Sequence, residues 1–529
     1  MKQQIRGPVA DFGDQLSAVG IRGQEDNPLA GITTQLQLKA KDWGFATQIA
    51  AQQKLRWSAI WGDHQPPNII IRALFFGADG HLLLQTEVPD KSPELTSQTA
   101  YFIAATRPER YLHDMFGVQF LDSSDQRRWV RHQAWGESDF PLRHDFPVAG
   151  KPEKNTAPDD GYPFTPVAGE GVYEIPVGPV HAGIIEPGHF RFQAMGENIL
   201  RLEERLGYVH KGIEKIAVGR DLDGLIRLAG RVSGDSTVAH SWAACQAVEQ
   251  ALQIDVSPRA LALRGILSER ERIANHLGDI GAICNDVGFA FAQYQLSRLR
   301  ELWQRQNLSL SGHRLLMDIV TPGGVKYDLD QAVIKQMQQE IVQLRCEIDE
   351  LLPLLLEYPS LQDRLRDYAI FSPEDAQRLG AIGYVGRASG LADDLRRDCP
   401  YPPYQGLNIS VPVYSTGDLT KRLQVRGEEI LSSLTLISSL LRTLPPGDLI
   451  ADYSLSGHPV EGIGLIEGWR GETLAYVRLD SAGRVQRYFP RDPSWLTWQA
   501  LEMMLDGVIV PDFPVCNKSV NGSYSGHDL

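Results

Sequence analysis

The stretch Arg231-Val232-Ser233-Gly234-Asp235-Ser236-Thr237-Val238-Ala239-His240-Ser241 sets two serines three residues apart, directly ahead of an apolar run over 236–252. Apolar residues recur in that run at the spacing of one helix face, so the chain turns at Ser233 to Ser236 and then enters a helix. At the other end, Asn521-Gly522-Ser523-Tyr524-Ser525-Gly526-His527-Asp528-Leu529 repeats the three-residue spacing with Ser523 and Gly526. Ser, Gly and Asn serve turns through local hydrogen bonds and a permissive backbone. Asp235 has two readings. Its carboxylate can cap the helix that begins near Thr237. Alternatively it stands in a cavity, where a carboxylate is costly unless wet, paired or protonated, and there it would accept a proton or touch a ligand.

The five cysteines, Cys245, Cys284, Cys346, Cys399 and Cys516, are scattered, with no C-x-x-C and no Cys/His cluster at metal-binding spacing. That predicts neither an iron–sulfur cluster nor structural zinc on this chain. An odd, sparse count also fits a reducing compartment. Over 529 residues, 43% hydrophobic and 22% charged, the chain can bury a large core and form two or three domains. A formal net charge of -14, with no Lys/Arg block, argues against nucleic acid as a partner. The first residues lack an apolar signal core, and no apolar run nears the roughly 18 residues that span a bilayer. Membrane contact is therefore expected to go through partners.

The pattern reads as an α+β protein in two parts. Trp57-Ser58-Ala59-Ile60-Trp61 and Asn68-Ile69-Ile70-Ile71-Arg72-Ala73-Leu74-Phe75-Phe76 read as strands closed by Gly77 and Gly80, which gives a small α+β domain over 1–147. Residues 148–171, rich in Pro, Gly and charge and without periodicity, form a linker. From 172 to 529, the runs 236–252, 259–277, 332–356 and 428–441 carry apolar residues at helical spacing, so the second domain is expected to be mainly α.

In the first domain, Arg107-Pro108-Glu109-Arg110-Tyr111-Leu112-His113-Asp114-Met115-Phe116-Gly117-Val118 leads into Arg127-Arg128-Trp129 and Pro141-Leu142-Arg143-His144-Asp145-Phe146-Pro147. These motifs resemble the NuoC-type component of bacterial NADH:quinone oxidoreductase, respiratory complex I. Physically, such a density of Arg and Asp is a docking surface or a set of internal pairs, with Arg110 and Asp114 one helical turn apart. The second domain resembles the NuoD-type component of complex I and the hydrogenase large subunits of formate hydrogenlyase and hydrogenase-4 type. The resemblance runs through Gly178-Pro179-Val180-His181-Ala182-Gly183, Glu186-Pro187-Gly188-His189-Phe190-Arg191, Thr321-Pro322-Gly323-Gly324-Val325 and Gly386-Arg387-Ala388-Ser389-Gly390-Leu391-Ala392-Asp393-Asp394. In [NiFe] hydrogenases of that family the two opening stretches each carry a C-x-x-C pair that holds nickel and iron. Here Ser233, Ser236, Ser523 and Gly526 stand at the four positions. A thiolate is soft and forms readily beside a metal, whereas an aliphatic hydroxyl stays protonated and hard, so the resemblance implies the fold without its [NiFe] centre. The chain also stops at Leu529, where the mature hydrogenase would end, so no further peptide is expected to await cleavage.

The same resemblance nominates site residues. His181 matches a histidine that lines the quinone cavity of complex I and can donate a hydrogen bond or relay a proton, with packing of a turn as the alternative. His189 falls near the second histidine of that loop. Glu186 lies close to a proton-transferring glutamate of hydrogenases. Gly234 stands where complex I places a tyrosine, the second quinone contact, so that clamp is incomplete. Arg387 corresponds to an arginine near the metal's diatomic ligands, within a balanced run of charges to Asp398 that reads as an ion network. His210, Lys211, Glu214 and Lys215 read as a helical face, either solvated or docking a small iron–sulfur subunit. The implied role is a core oxidoreductase subunit on the cytoplasmic side of the inner membrane, peripheral and held through partners. Those partners are a small iron–sulfur subunit of the complex I type, further iron–sulfur subunits and antiporter-like membrane subunits. Electrons would pass from a partner's [4Fe–4S] cluster to quinone or another small acceptor, with no cofactor on this chain and NAD(H) used elsewhere in the complex. One rival is a scaffold joining the iron–sulfur subunit to ion-translocating membrane subunits, and an active [NiFe] hydrogenase is the other. The four substitutions predict that elemental analysis of the purified protein, alone or in its complex, returns no stoichiometric nickel and that hydrogen uptake is absent. One nickel per chain would overturn this.

Overall fold

A computed structural model describes residues 7–25, 28–132, 135–150, 161–183 and 185–529. The strand signals near the N-terminus form a five-stranded sheet in the order Gln24–Glu25, Thr34–Leu38, Gly80–Pro89, Asn68–Gly77 and Arg56–Gln65. It is antiparallel except where Thr34–Leu38 lies parallel to Gly80–Pro89. Alternate residues point to opposite faces. Ile69, Ile71, Ala73, Phe75, Leu82 and Leu84 share one core with Trp43, Ala46 and Ala50 of the helix Trp43–Gln52. Ala59, Trp61, Leu74 and Leu83 form a separate cluster with Ile463, Leu474, Tyr476 and Phe489 from the far end of the sequence. Burial on both faces explains why 69–76 reads as an almost unbroken apolar run rather than an alternating one.

Residues 151–160 of the linker lie outside the described residues. Beyond it, the helices Thr237–Leu252, Pro258–Asp286, Ala290–Ser311, Gln331–Glu357 and Leu419–Arg442 build the second part. Their starts are chemically marked. The Ser257 hydroxyl accepts from Ala260 N with Pro258 in the first turn, Asp330 accepts from Val333 N, and Asp418 accepts from Lys421 N. The helix Pro258–Asp286 runs past the expected 277, and its polar residues do not face water. Arg264, Glu269, Arg270, Glu271, Arg272 and His276 are all buried. Glu269, Arg272 and His276 enter an ion network in which Arg396 bonds Glu269 and Asp394, Arg387 bonds Asp394, Glu429 and Glu467, and His276 meets Glu429 at 2.7 Å, while Arg264 pairs with Glu249, Arg270 donates to Asn307 and Glu271 accepts from Val238 N and Ala239 N. Burial alone would raise the Glu269 carboxyl, but Arg396 and Arg272, with Ser433 and Tyr404 donating, hold it down to about 2.

The expectation of a mainly α second part is incomplete. It also holds a sheet of Val172–Val177, His189–Met195 and Asn198–Arg205, and another of Val460–Gly468, Gly471–Leu479 and Val485–Arg491. Glycine hid the last sheet, because it has poor strand propensity. Gly462 and Gly464 face the helix Thr237–Leu252 so closely that a Cβ on either would collide with the carbonyl oxygen of Ala247 or Ala243. This sheet carries the second hydrophobic cluster and therefore joins the two parts. Among the described residues, no helix is long and apolar enough to cross a membrane.

The motif around Arg107 to Asp114 is an internal clamp and not a docking surface. In the helix Thr106–Phe116, Arg107, Glu109, Arg110 and Asp114 are buried. Arg107 pairs with Glu204 at 3.0 Å and Glu502 at 2.8 Å, both in the second part. Arg110 pairs with Asp125 at 3.0 Å instead of with Asp114, whose carboxylate accepts the backbone N–H groups of Trp129, Val130 and Arg131. Glu109 accepts from Ser97 Oγ and Gln98 N, each at 2.6 Å. Burial outweighs those bonds and raises its carboxyl to about 7. A carboxyl raised in the fold contributes stability that is intact below the ordinary glutamate range and lost as pH climbs through about 7. Glu109→Gln keeps the shape, with its carbonyl accepting from Gln98 and its amide donating to Ser97. Urea unfolding should show it matching the parent near about pH 4.5 and exceeding it by about 2–3 kcal/mol near about pH 8.

Candidate functional site

The two serine-bearing stretches, 290 residues apart in sequence, meet. Ser233 follows the helix Leu222–Ala229, and Ser236 ends a single tight turn that opens the helix Thr237–Leu252. Ser523 lies between the helices Phe513–Val520 and Tyr524–Asp528, after Asn521 has reversed the chain in the left-handed region. Ser233 Oγ and Ser523 Oγ are 2.8 Å apart, and Ser523 Oγ accepts from Gly526 N at 2.9 Å. All four positions nominated from sequence thus belong to one locus. Gly526 packs on Asp492 so tightly that an added Cβ would lie 2.6 Å from the carboxylate carbon, and Asp492 is in turn bonded to His240 at 2.8 Å.

Asp235 is not a helix cap. Its carboxylate takes a bidentate pair from Arg470, Nη1 to Oδ1 at 2.8 Å and Nη2 to Oδ2 at 2.6 Å, and also accepts from Ser233 Oγ at 2.6 Å and Ser236 Oγ at 3.1 Å. Burial would raise this carboxyl, but the Arg470 charge and these donors hold it below the ordinary range, so it stays ionised. Arg470 also donates to Ser236 Oγ and to the Asn521 carbonyl, and lies 4.0 Å over the Trp469 ring. Trp469 Nε1 donates to the Asp235 carbonyl at 2.9 Å. Among the described residues, no group of three or more His, Cys, Asp or Glu is placed to hold a metal ion.

These groups border a cavity of about 530 Å³, lined by Ser233, Gly234, Asp235, Ser523 and Glu186 among others. Glu186 accepts from Ser525 N at 3.1 Å. The structure places the other nominated residues elsewhere. His181 Nε2 is 2.8 Å from the Gly188 carbonyl, and His189 Nδ1 is 3.2 Å from the Gly178 carbonyl, so both tie the loop that joins two strands. Neither lines the cavity. Arg387 pairs with Glu429 and Glu467 in the buried ion network, and the arginine beside the serine loops is Arg470. His210, Lys211, Glu214 and Lys215 are not one helical face. The helix starts only at Ile213. His210 and Lys211 turn onto the Ser525 to Asp528 segment, Glu214 is buried against Arg487 and Tyr111, and Lys215 Nζ donates to the Arg143 carbonyl at 2.7 Å. A second cavity of about 550 Å³ separates the helix Thr106–Phe116 from the strand Asn198–Arg205, well away from the serine loops in its lining.

Sequence reading missed Arg470, Trp469, His240 and Asp492. The available signal was Gly468-Trp469-Arg470-Gly471, a two-residue hairpin turn between glycines.

Residues 40–152 match the family described as respiratory-chain NADH dehydrogenase, 30 Kd subunit, and residues 286–462 match its 49 Kd subunit. Residues 211–278 match nickel-dependent hydrogenase. Formate hydrogenlyase subunit 5 of Escherichia coli (strain K12) is 33% identical over 450 residues, covering 84% of this chain and 79% of that protein. The fused C/D component of NADH-quinone oxidoreductase from Phocaeicola vulgatus is 31% identical over 415 residues, covering 73% and 78%. A chain of the archaeal membrane-bound sulfane sulfur reductase, a respiratory membrane complex, superposes with a TM-score of 0.64 at 25% identity, over 68% of this chain and 99% of that one.

Asp235 and Arg470 are unequal partners, since the arginine side chain is 3% exposed and the aspartate 32%. Asp235→Ala strands a buried cation and should cost about 3 kcal/mol in urea unfolding. Arg470→Gln should cost less, because the carboxylate can be rehydrated.

Proposed function

Since this chain belongs to the family of large subunits shared by complex I and membrane-bound hydrogenases, we propose that it is the core subunit of a membrane-associated oxidoreductase. In this reading it receives electrons from a [4Fe–4S] cluster on a small partner protein and delivers them to a small acceptor, quinone or another, in the cavity beside Ser233 and Ser523. No nickel or iron is held by this chain. Peripheral attachment through partner subunits, on the cytoplasmic face, belongs to the same proposal, as do antiporter-like membrane partners and NAD(H) use elsewhere in the complex.

One observation carries the reading. The two loops that hold the metals in the hydrogenase members still converge on an open cavity, while the four ligand positions carry three hydroxyls and a glycine, with the Asp235–Arg470 pair beside them. Hydroxyl groups are hard and stay protonated, which suits a soft metal poorly, but they do line a space that a ligand can enter. That a fold relative is a sulfane sulfur reductase supports reduction of something other than protons on this scaffold. Glu186, at the cavity rim, is the group best placed to pass a proton there. His181, bonded to the Gly188 carbonyl, acts by holding the loop that carries Glu186.

The scaffold reading draws on a different observation, that Asp235 and Ser233 are satisfied within the protein. Gly234 separates the two. A Cβ there meets only Met317 at 3.6 Å and Leu315 at 3.8 Å, so a larger side chain projects into the cavity and leaves the core in place. In the purified complex, Gly234→Phe should lower acceptor turnover about tenfold or more, with assembly unchanged by gel filtration. Full turnover in an intact complex would leave the scaffold reading in possession.

A further inference from the structure

The cavity has a charge that the chain as a whole does not. Its lining includes Arg300, Arg314, Arg470 and Lys518 against Glu186 and Asp235. Arg470 and Asp235 neutralise each other. Glu186 is left facing three cations, an excess of two positive charges in a chain whose formal net charge is -14.

Those three cations are not used up inside the protein. Among the described residues, none of Arg300, Arg314 and Lys518 meets a carboxylate in an ion pair; Lys518 acts on Asp286 only at longer range, and Arg314 donates to the neutral Gln304 at 3.2 Å. Arg300 Nε is buried without a partner. Its guanidinium is held in place against Gly278, where a Cβ would sit 3.0 Å away. The three side chains come from separate elements: Arg300 from the helix Ala290–Ser311, Arg314 from the segment after it, and Lys518 from the helix Phe513–Val520. Like charges converging from three elements repel one another, and an arginine nitrogen left unbonded at the wall adds a desolvation cost. An anion in the cavity relieves the repulsion. Ile185, Leu315 and Tyr524 supply the cavity's apolar side chains. Asn517 and Asn521 supply further amides at the wall.

We propose that this cavity binds a compact dianion, an oxoanion or a sulfur anion, held by Arg300, Arg314 and Lys518. The inference rests on the reading that the cavity admits the acceptor, and it specifies the acceptor's class as anionic. Guanidinium groups offer paired N–H donors suited to such oxygens, and the ammonium adds a point charge.

Calorimetric titration of the purified complex with sulfate and with tetrathionate tests it, with decylubiquinone as the uncharged comparison. Both dianions should bind, sulfate identifying a site for any oxoanion and tighter tetrathionate binding identifying a sulfur anion as the preferred occupant. Arg314→Gln and Lys518→Gln should each weaken binding about tenfold, and the double variant more, with affinity falling as salt rises. Arg314 is exposed and Lys518 half-buried, so neither change threatens the core. Arg300→Lys, which keeps the charge, should weaken binding less than Arg300→Gln. Absence of dianion binding to the parent complex, or equal affinity in the charge-removing variants, would overturn the proposal. If such a complex still reduces quinone, the oxidoreductase reading stands and the anionic acceptor alone is wrong. If dianions bind but no acceptor is reduced, the anion site stands and the oxidoreductase reading fails.

Discussion

One hairpin carries the organisation of this protein. Between the strands Val460–Gly468 and Gly471–Leu479, six consecutive residues reach three different neighbourhoods. Glu467 enters the buried network through Arg387, Arg470 pairs with Asp235 beneath the cavity, and Glu472 bonds Arg56 of the N-terminal sheet and Arg491 of the adjoining strand. The turn is held by a backbone contact with Gly383, where neither Gly383 nor Gly471 can accept a Cβ without displacement. Both glycines have positive φ, so the fit demands glycine twice over. Domain junction, ion network and site floor therefore share one short, rigid element.

The buried charges set the character of the second part. The helix Pro258–Asp286 would be expected to present its charges to water, yet Glu269, Arg272 and His276 face Arg396, Glu429 and Ser433 in the interior. Such networks add little net stability over a hydrophobic equivalent, but losing one member leaves an uncompensated charge in a low dielectric. They therefore fix geometry: each arginine fork donates to its carboxylates in one orientation. The helices Pro258–Asp286 and Leu419–Arg442 are thereby held in a single arrangement.

The serine loops are held together by their own hydroxyls and by the groups around them. Ser233 and Ser523 satisfy each other, Ser236 is shared among Asp235, Trp469 and Arg470, and Gly526 leaves room for Asp492. Together they form a wall with an ionised aspartate fixed by an arginine, beside cations that meet no carboxylate in an ion pair among the described residues.

The sequence by itself determined the parts. Two strands of the N-terminal sheet, four of the helical runs, the paired serine loops and the motifs that identify the family were legible, because each rests on local periodicity, turn chemistry or short-range spacing. Tertiary structure alone decided the partners. Asp235 reads locally as a helix cap and becomes the counter-ion of Arg470, 235 residues away. Arg387 and His181 were nominated for the cavity but are spent on buried pairs and a loop carbonyl, and Arg110 pairs with Asp125 in place of Asp114. A sheet built on Gly462 and Gly464 escaped notice because what favours those glycines is the closeness of the helix Thr237–Leu252, not any strand preference of their own. A charge finds its partner through three-dimensional proximity and a glycine is required by what presses against it, and neither quantity is carried by the residues nearby in the chain.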